Sequence, residues 1–219
     1  MIKVALIVGH SEASKGAYSA SLQTHEYTLW KEVALEACME FRDTGLDAKV
    51  ITRDGISIEK VGEMVNEWAD LAIELHFNSA GKKIKNPQFG HNNQPEYITI
   101  TDITPSGCET LYDADPVDSK LFAQTIHNGI LKSLTEANPN YSEFRKDTNP
   151  WSKPKDRGVK LMDQGDRGYR NLHSVKIPSC LIEPFFGSNA RDCQRFKINR
   201  AQFTRALVSS VLTYKILSK

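Results

Sequence analysis

Lys3-Val4-Ala5-Leu6-Ile7-Val8-Gly9-His10 is the stretch that decides the reading of this chain. An unbroken apolar run ended by a glycine and a histidine reads as a buried strand. Downstream, Leu29, Val33, Ala37 and Phe41 recur every four residues and mark one face of a helix over 24–41. Thr24 is placed to cap it and Gly45 to stop it. A second strand follows at 48–52, a polar-faced helix at 57–68, and a third strand at 71–77 that runs into Asn78-Ser79. Strand and helix alternate, which predicts an α/β fold: a three-layer sandwich with a mostly parallel central sheet flanked by helices.

Farther along, 81–95 is rich in Lys, Asn, Gly and Pro and reads as part of a loop insertion, 81–105, at the mouth of a site. Short strands are expected at 97–101 and 110–112. Leu121, Phe122, Ile126, Ile130 and Leu134 predict a helix over 118–134. Residues 138–157 read as another long loop, 177–186 as the last buried strand and 192–217 as a closing helix. No repeat or linker divides the 219 residues, so one domain with its own core is expected.

Twenty-eight basic side chains against 27 acidic ones leave a formal charge of +1, which excludes electrostatic capture of nucleic acid. The local excess at Lys82, Lys83 and Lys85, and again over 153–157, reads as solvated loop. The first apolar run is too short for a secretory core and no stretch is long enough to span a bilayer. Synthesis in the cytoplasm without a signal peptide, no membrane partner and a monomeric state are expected. None of the four cysteines forms a C-x-x-C pair, and Cys38 and Cys180 read as free, buried thiols.

In a parallel sheet, functional groups collect beyond the carboxyl ends of the strands. His10 follows the first strand, His76 ends the third in Glu74-Leu75-His76-Phe77-Asn78, and Glu183 ends the last in Leu181-Ile182-Glu183-Pro184. Glu26 falls in the first turn of the first helix. Two histidines and a carboxylate match a catalytic zinc site, which keeps three protein ligands and an open position. Hydrolysis also needs a carboxylate outside the metal shell to move the proton, and Glu183 stands in an apolar stretch that would raise its pKa toward that task.

Each residue also has a plainer explanation. A histidine at a strand end is commonly just hydrogen-bonded, and an acid at a helix start complements the dipole. Glu183 could be a buried acid paired with Arg157 or Arg170. His25, next to Glu26 on a helical pattern, should face away from it, and His91, His127 and His173 have no neighbour at ligand spacing. The case for a metal rests on the combination.

The same positions resemble the zinc N-acetylmuramoyl-L-alanine amidase family. Val8-Gly9-His10 is similar to its first ligand motif, Thr52-Arg53 to its T-R step, and Glu74-Leu75-His76-Phe77-Asn78-Ser79-Ala80 to its S-I-H-x-N-A segment. Gly107-Cys108-Glu109-Thr110, Asp156-Arg157-Gly158-Val159-Lys160 and the ending from Ile177 through Glu183 to Asn189 continue the match in order. The resemblance implies one zinc ion held by His10, Glu26 and His76, with Glu183 as catalytic acid/base. Asn78 and Arg157 become substrate-binding candidates. The implied substrate is peptidoglycan, cut between N-acetylmuramic acid and L-alanine, by an enzyme that reaches the wall after release from the cell, as phage lysis enzymes do. The glycine-rich opening of the family is absent, Pro184 replaces a small residue, and 81–105 looks longer. Two other readings stay open: a carboxypeptidase-like zinc hydrolase, although H-x-x-E and H-E-x-x-H are both missing, and an inactive wall-binding module.

Overall fold

A computed structural model describes residues 1–86, 97–135, 155–166 and 168–218. The opening run forms β1 (Lys3–Val8), buried at every position after Lys3. Its continuous apolarity has a simple cause. Val4, Leu6 and Val8 enter one core while Ala5 and Ile7 enter another, because successive side chains on a strand point to opposite faces. β1 lies between β4 (Asp47–Ile51) and β5 (Leu71–Leu75), parallel to both. The sheet has six strands in the order β4-β1-β5-β10-β8-β9, where β10 (Ser179–Glu183) continues the parallel set.

β8 (Cys108–Tyr112) runs antiparallel to β10, and β9 (Asp156–Leu161) runs parallel to β8. The amino ends of these two strands therefore lie beside the carboxyl ends of the other four. One face of the sheet is covered by α1 (Glu26–Asp43), α3 (Ser119–Thr135) and α5 (Ala190–Leu217), through Trp30, Phe41, Phe122, Ile126, Phe196 and Phe203. The other face is covered by α2 (Ile58–Trp68), through Val61 and Val65. This is the expected three-layer α/β arrangement. Among the described residues, no helix is long and apolar enough to cross a membrane.

Several local expectations change. Thr24 does not cap α1; it lies in β3 (Thr24–His25), which pairs with β2 (Tyr18–Ser19), and His25 takes the cap position without a side-chain bond. The first helical N–H groups of Glu26 and Tyr27 donate instead to the carbonyls of Ala17 and Lys15, so a preceding loop does the capping. Gly45 ends the helix as expected, in a left-handed conformation at φ 77°.

The 81–105 insertion is not simply a loop, since β6 (Gly81–Lys85) pairs with β7 (Tyr97–Thr101) as a separate two-stranded sheet. The predicted 138–157 loop ends too late, because β9 begins at Asp156; a mostly polar edge strand carries little hydrophobic signal. Residues 138–154, and His91 within the insertion, lie outside the described residues. α4 (Tyr169–His173) is too short to show periodicity. Every cysteine is free and buried, Cys38 and Cys180 as expected.

Candidate active site

His10 stands two residues beyond β1 with a positive φ of 67°, His76 directly follows β5, and Glu26 opens α1. The fold brings them together. Nε2 of His10 lies 3.1 Å from one oxygen of Glu26, and Nδ1 of His76 lies 2.8 Å from the other. Neighbouring ligands around a tetrahedral zinc are about 3.3 Å apart, given zinc–ligand bonds near 2.0–2.2 Å. Both histidine–carboxylate separations are shorter than that, and one ligand atom from each of the three residues lies within 4.8 Å of the others. Glu26 is only 3 % exposed, and also accepts from the backbone N–H groups of Phe77 at 3.1 Å and Ala17 at 3.3 Å.

The partners of His76 test the fit further. Its Nε2 faces Glu74 at 2.9 Å, and the Asn171 amide donates to the same Glu74 oxygen at 2.6 Å. A neutral imidazole that donates to Glu74 has a bare lone pair left on Nδ1, aimed at the Glu26 carboxylate. Only a cation between them makes that arrangement favourable. A proton can serve: burial lowers the pKa of His76, but its bonds to Glu26 and Glu74 outweigh this and raise it to about 10. Burial raises Glu26, but the bonds from His10 and His76 bring it down to about 2. A metal ion fits the same place, and the acceptor on the far nitrogen is the usual support for a metal-bound histidine.

Two glycines shape the cradle. A Cβ on Gly9 would come within 2.4 Å of the His76 ring, so glycine there permits the ring to pack on the backbone. Gly16, at φ 74°, is hemmed in as well: its Cβ would stand 2.5 Å from the His10 ring and 2.8 Å from Glu26.

Glu183 lies outside the trio, and its surroundings come from the reversed strands. Glu183 and Glu109 are cross-strand partners on β10 and β8, and their carboxyls share a hydrogen bond. Two like charges at that spacing repel. The fold resolves the conflict by loading Glu109 with donors: Asn78 Nδ2 at 2.6 Å, Arg157 Nε at 2.9 Å, and Lys160 Nζ. Glu109 stays ionised, its pKa pushed up by burial but lowered overall by Lys160 and its other partners. Burial, reinforced by the bond to Glu109, raises Glu183 to about 8, so it carries the shared proton.

Neither proposed arginine partner reaches Glu183: Arg157 holds Glu109 and covers the Phe186 ring at 5.1 Å, and Arg170 pairs with Glu59. Asn78 and Arg157, candidates for substrate contact, thus both bind Glu109. If Glu109 sets the protonation of Glu183, Glu109→Gln should move the acid limb of the pH profile of kcat/KM down by about 1 unit or more. The sign follows from removing a negative neighbour while leaving two cations. An unchanged limb would show that the pair is not coupled.

A cleft of about 680 Å³ joins His10, Glu26, His76, Asn78, Glu109 and Glu183 along the carboxyl edge of the sheet. His25 packs on Tyr18, away from the trio. His127 is buried between Thr110 and Asp156, and His173 pairs with Asp113, so neither joins it. Sequence reasoning assigned no role to Glu74, Glu109, Lys160, Asn171 or Gly16. Glu74 alone left a usable signal, being an acid inside an otherwise apolar strand two residues before a predicted ligand.

Residues 4–213 match the N-acetylmuramoyl-L-alanine amidase family. No curated protein sequence matches. The chain is similar in fold to the catalytic domain of CwlV, an N-acetylmuramoyl-L-alanine amidase from Bacillus (Paenibacillus) polymyxa var. colistinus, with 18% identity, 99% of each chain covered and a TM-score of 0.71. An N-acetylmuramoyl-L-alanine amidase from Clostridium difficile 630 gives 20% identity over 100% of this chain and 98% of its own, with a TM-score of 0.69. The catalytic domain of the CD27L endolysin targeting Clostridia difficile gives 22% identity, 97% and 98% coverage and a TM-score of 0.67. At these identities the likenesses speak for the fold, while the family match extends over nearly the whole chain, and with it the chain belongs to the zinc-dependent N-acetylmuramoyl-L-alanine amidases, which act on peptidoglycan.

Proposed function

We propose that His10, Glu26 and His76 hold one zinc ion per chain and that Glu183 is the acid/base that moves the proton during cleavage of the lactyl–L-alanine amide. The observation that carries this assignment is the position of Glu183. It lines the same cleft as the trio, belongs to no ligand pair, and has its pKa raised to about 8 by burial and by Glu109. Zinc in such a site supplies Lewis acidity, polarising a carbonyl and acidifying water.

The chain's own groups do the rest. In its ionised form Glu183 takes the proton of the attacking water, and once protonated beside the ionised Glu109 it returns that proton to the nitrogen that leaves with L-alanine. Asn78, Arg157 and Lys160 hold Glu109 in place, so the carboxyl that moves the proton is set by a fixed charge. Glu74 and Asn171 fix the His76 ring and leave Nδ1 facing the site.

Metal analysis joined to mass spectrometry of digested wall tests this directly. We expect one zinc per chain and, as the only new ends, free L-alanine amino groups matched by free lactyl carboxyl groups. Cleavage within the peptide stem, or digestion unaffected by chelation, would overturn it.

A further inference from the structure

We propose that Arg53 is the anion subsite on the glycan side of the scissile bond: it binds the lactyl carbonyl oxygen as that atom turns negative, and afterwards the lactyl carboxylate. This rests on the amidase reading above. Each described arginine other than Arg53 has a partner: Arg42 bonds the Ala48 carbonyl, Arg157, Arg170, Arg195, Arg200 and Arg205 pair with acids, and Arg191 is engaged as well. Arg53 makes no hydrogen bond or ion pair among the described residues, although it is half-buried in the wall of the catalytic cleft beside His10. A partly desolvated guanidinium with no anion is costly unless a ligand supplies one.

The loop around Arg53 is held firmly. Both oxygens of the adjacent Asp54 are engaged, one by the Glu12 backbone N–H at 2.7 Å and the other by the Tyr27 hydroxyl at 2.5 Å. That tethers the loop after β4 to the loop carrying His10 and to the first turn of α1. It also commits both oxygens of the acid next to Arg53 in the chain to other partners.

Sheet order assigns the side of the substrate. Along the carboxyl edge the sequence is β4, β1, β5, β10, so Arg53 and Glu183 stand on opposite sides of the trio. In the hydrolysis, a water oxygen bonds to the lactyl carbonyl carbon, the carbon–nitrogen bond breaks, and the water's proton passes through Glu183 to the departing amine. The attacking water and the amine both need Glu183, which places them on its side. The carbonyl oxygen then points the other way, toward Arg53. It gains negative charge during attack and remains as one oxygen of the carboxylate. Arg53 presents the forked, permanently charged donor that suits such an anion.

The test uses zinc-loaded protein with metal content verified, and calorimetric binding of N-acetylmuramic acid and of its methyl ester, neither of which requires turnover. In Arg53→Gln the affinity for the acid should fall about ten- to a hundredfold, as expected for a charge-assisted hydrogen bond. Affinity for the ester should change less than about threefold, and Arg53→Lys should recover part of the loss. On wall substrate, Arg53→Gln should lower kcat about a hundredfold or more, the usual effect of removing an oxyanion donor. Unchanged acid binding, or an equal loss for acid and ester, would overturn the subsite. Failure of the amidase reading would show separately, in the digestion products of the parent enzyme.

Discussion

Glu183→Gln should abolish wall digestion while leaving the metal in place. The replacement keeps shape and hydrogen-bonding capacity but cannot carry a proton, so kcat/KM should fall about 10²–10⁴-fold. Zinc content should not change, because Glu183 belongs to none of the contacts within the trio. Stability should move in the direction opposite to activity. A buried acid whose pKa rises from 4.5 to about 8 on folding binds its proton more tightly in the native state, so its contribution to stability is lost as pH climbs from about 4.5 through about 8. Glutamine does not titrate. The variant should therefore unfold at the same temperature as the parent at pH 4.5 or below and at a higher one at pH 8. Substantial residual activity, or loss of zinc, would remove Glu183 from the acid/base role.

Gly16→Ala should empty the metal site although it changes no ligand. Alanine at φ 74° costs about 1–2 kcal/mol in backbone strain. Gly45, at φ 77° with nothing within 4 Å of its would-be Cβ, isolates that cost. Only at Gly16 does the methyl also meet His10 and Glu26, neither of which can retreat easily. Glu26 is anchored by two backbone N–H groups, and the His10 backbone is itself left-handed. In the metal-free state Gly45→Ala should lose only the backbone strain, and Gly16→Ala should lose more, by the added clash with His10 and Glu26. Zinc affinity should fall about a hundredfold or more in Gly16→Ala, beyond the range usual for losing a supporting contact, and stay near the parent's in Gly45→Ala. Competition against a zinc-sensitive dye measures both. Equal affinities would mean that the loop at 14–17 yields more freely than its contacts indicate.

How much of this the sequence discloses depends on where each residue's information resides. His10, His76 and Glu183 are legible because each directly follows or ends an apolar run, and strand ends are where a parallel sheet gathers its chemistry. Glu26 is legible as the first turn of a helix, although its capping is not. The carbonyls of Lys15 and Ala17 do that work, and backbone acceptors leave no mark in a sequence.

Glu109 is hidden for a different reason. Its importance comes from standing opposite Glu183 across an antiparallel pair, and nothing local reveals that β8 is reversed. Once the reversal is known, Arg157 and Lys160 change meaning too. A charged stretch near a strand becomes the counter-charge for a buried acid. In the sequence Arg53 is one half of a T-R step with no visible role, and it is the lack of a partner for it among the described residues that suggests one.

The sheet order has a consequence for the history of each molecule. The candidate ligands His10, Glu26 and His76 are carried by β1, α1 and β5, and β1 pairs with β5 directly. Glu109, Arg157 and Glu183 all come later in the chain. During synthesis, where the amino-terminal part emerges first, the candidate ligands leave the ribosome before Glu109, Arg157 and Glu183 do. β10 is the last of the six strands in chain order and fills the gap between β5 and β8, so the two parts of the sheet are joined only after every other strand exists.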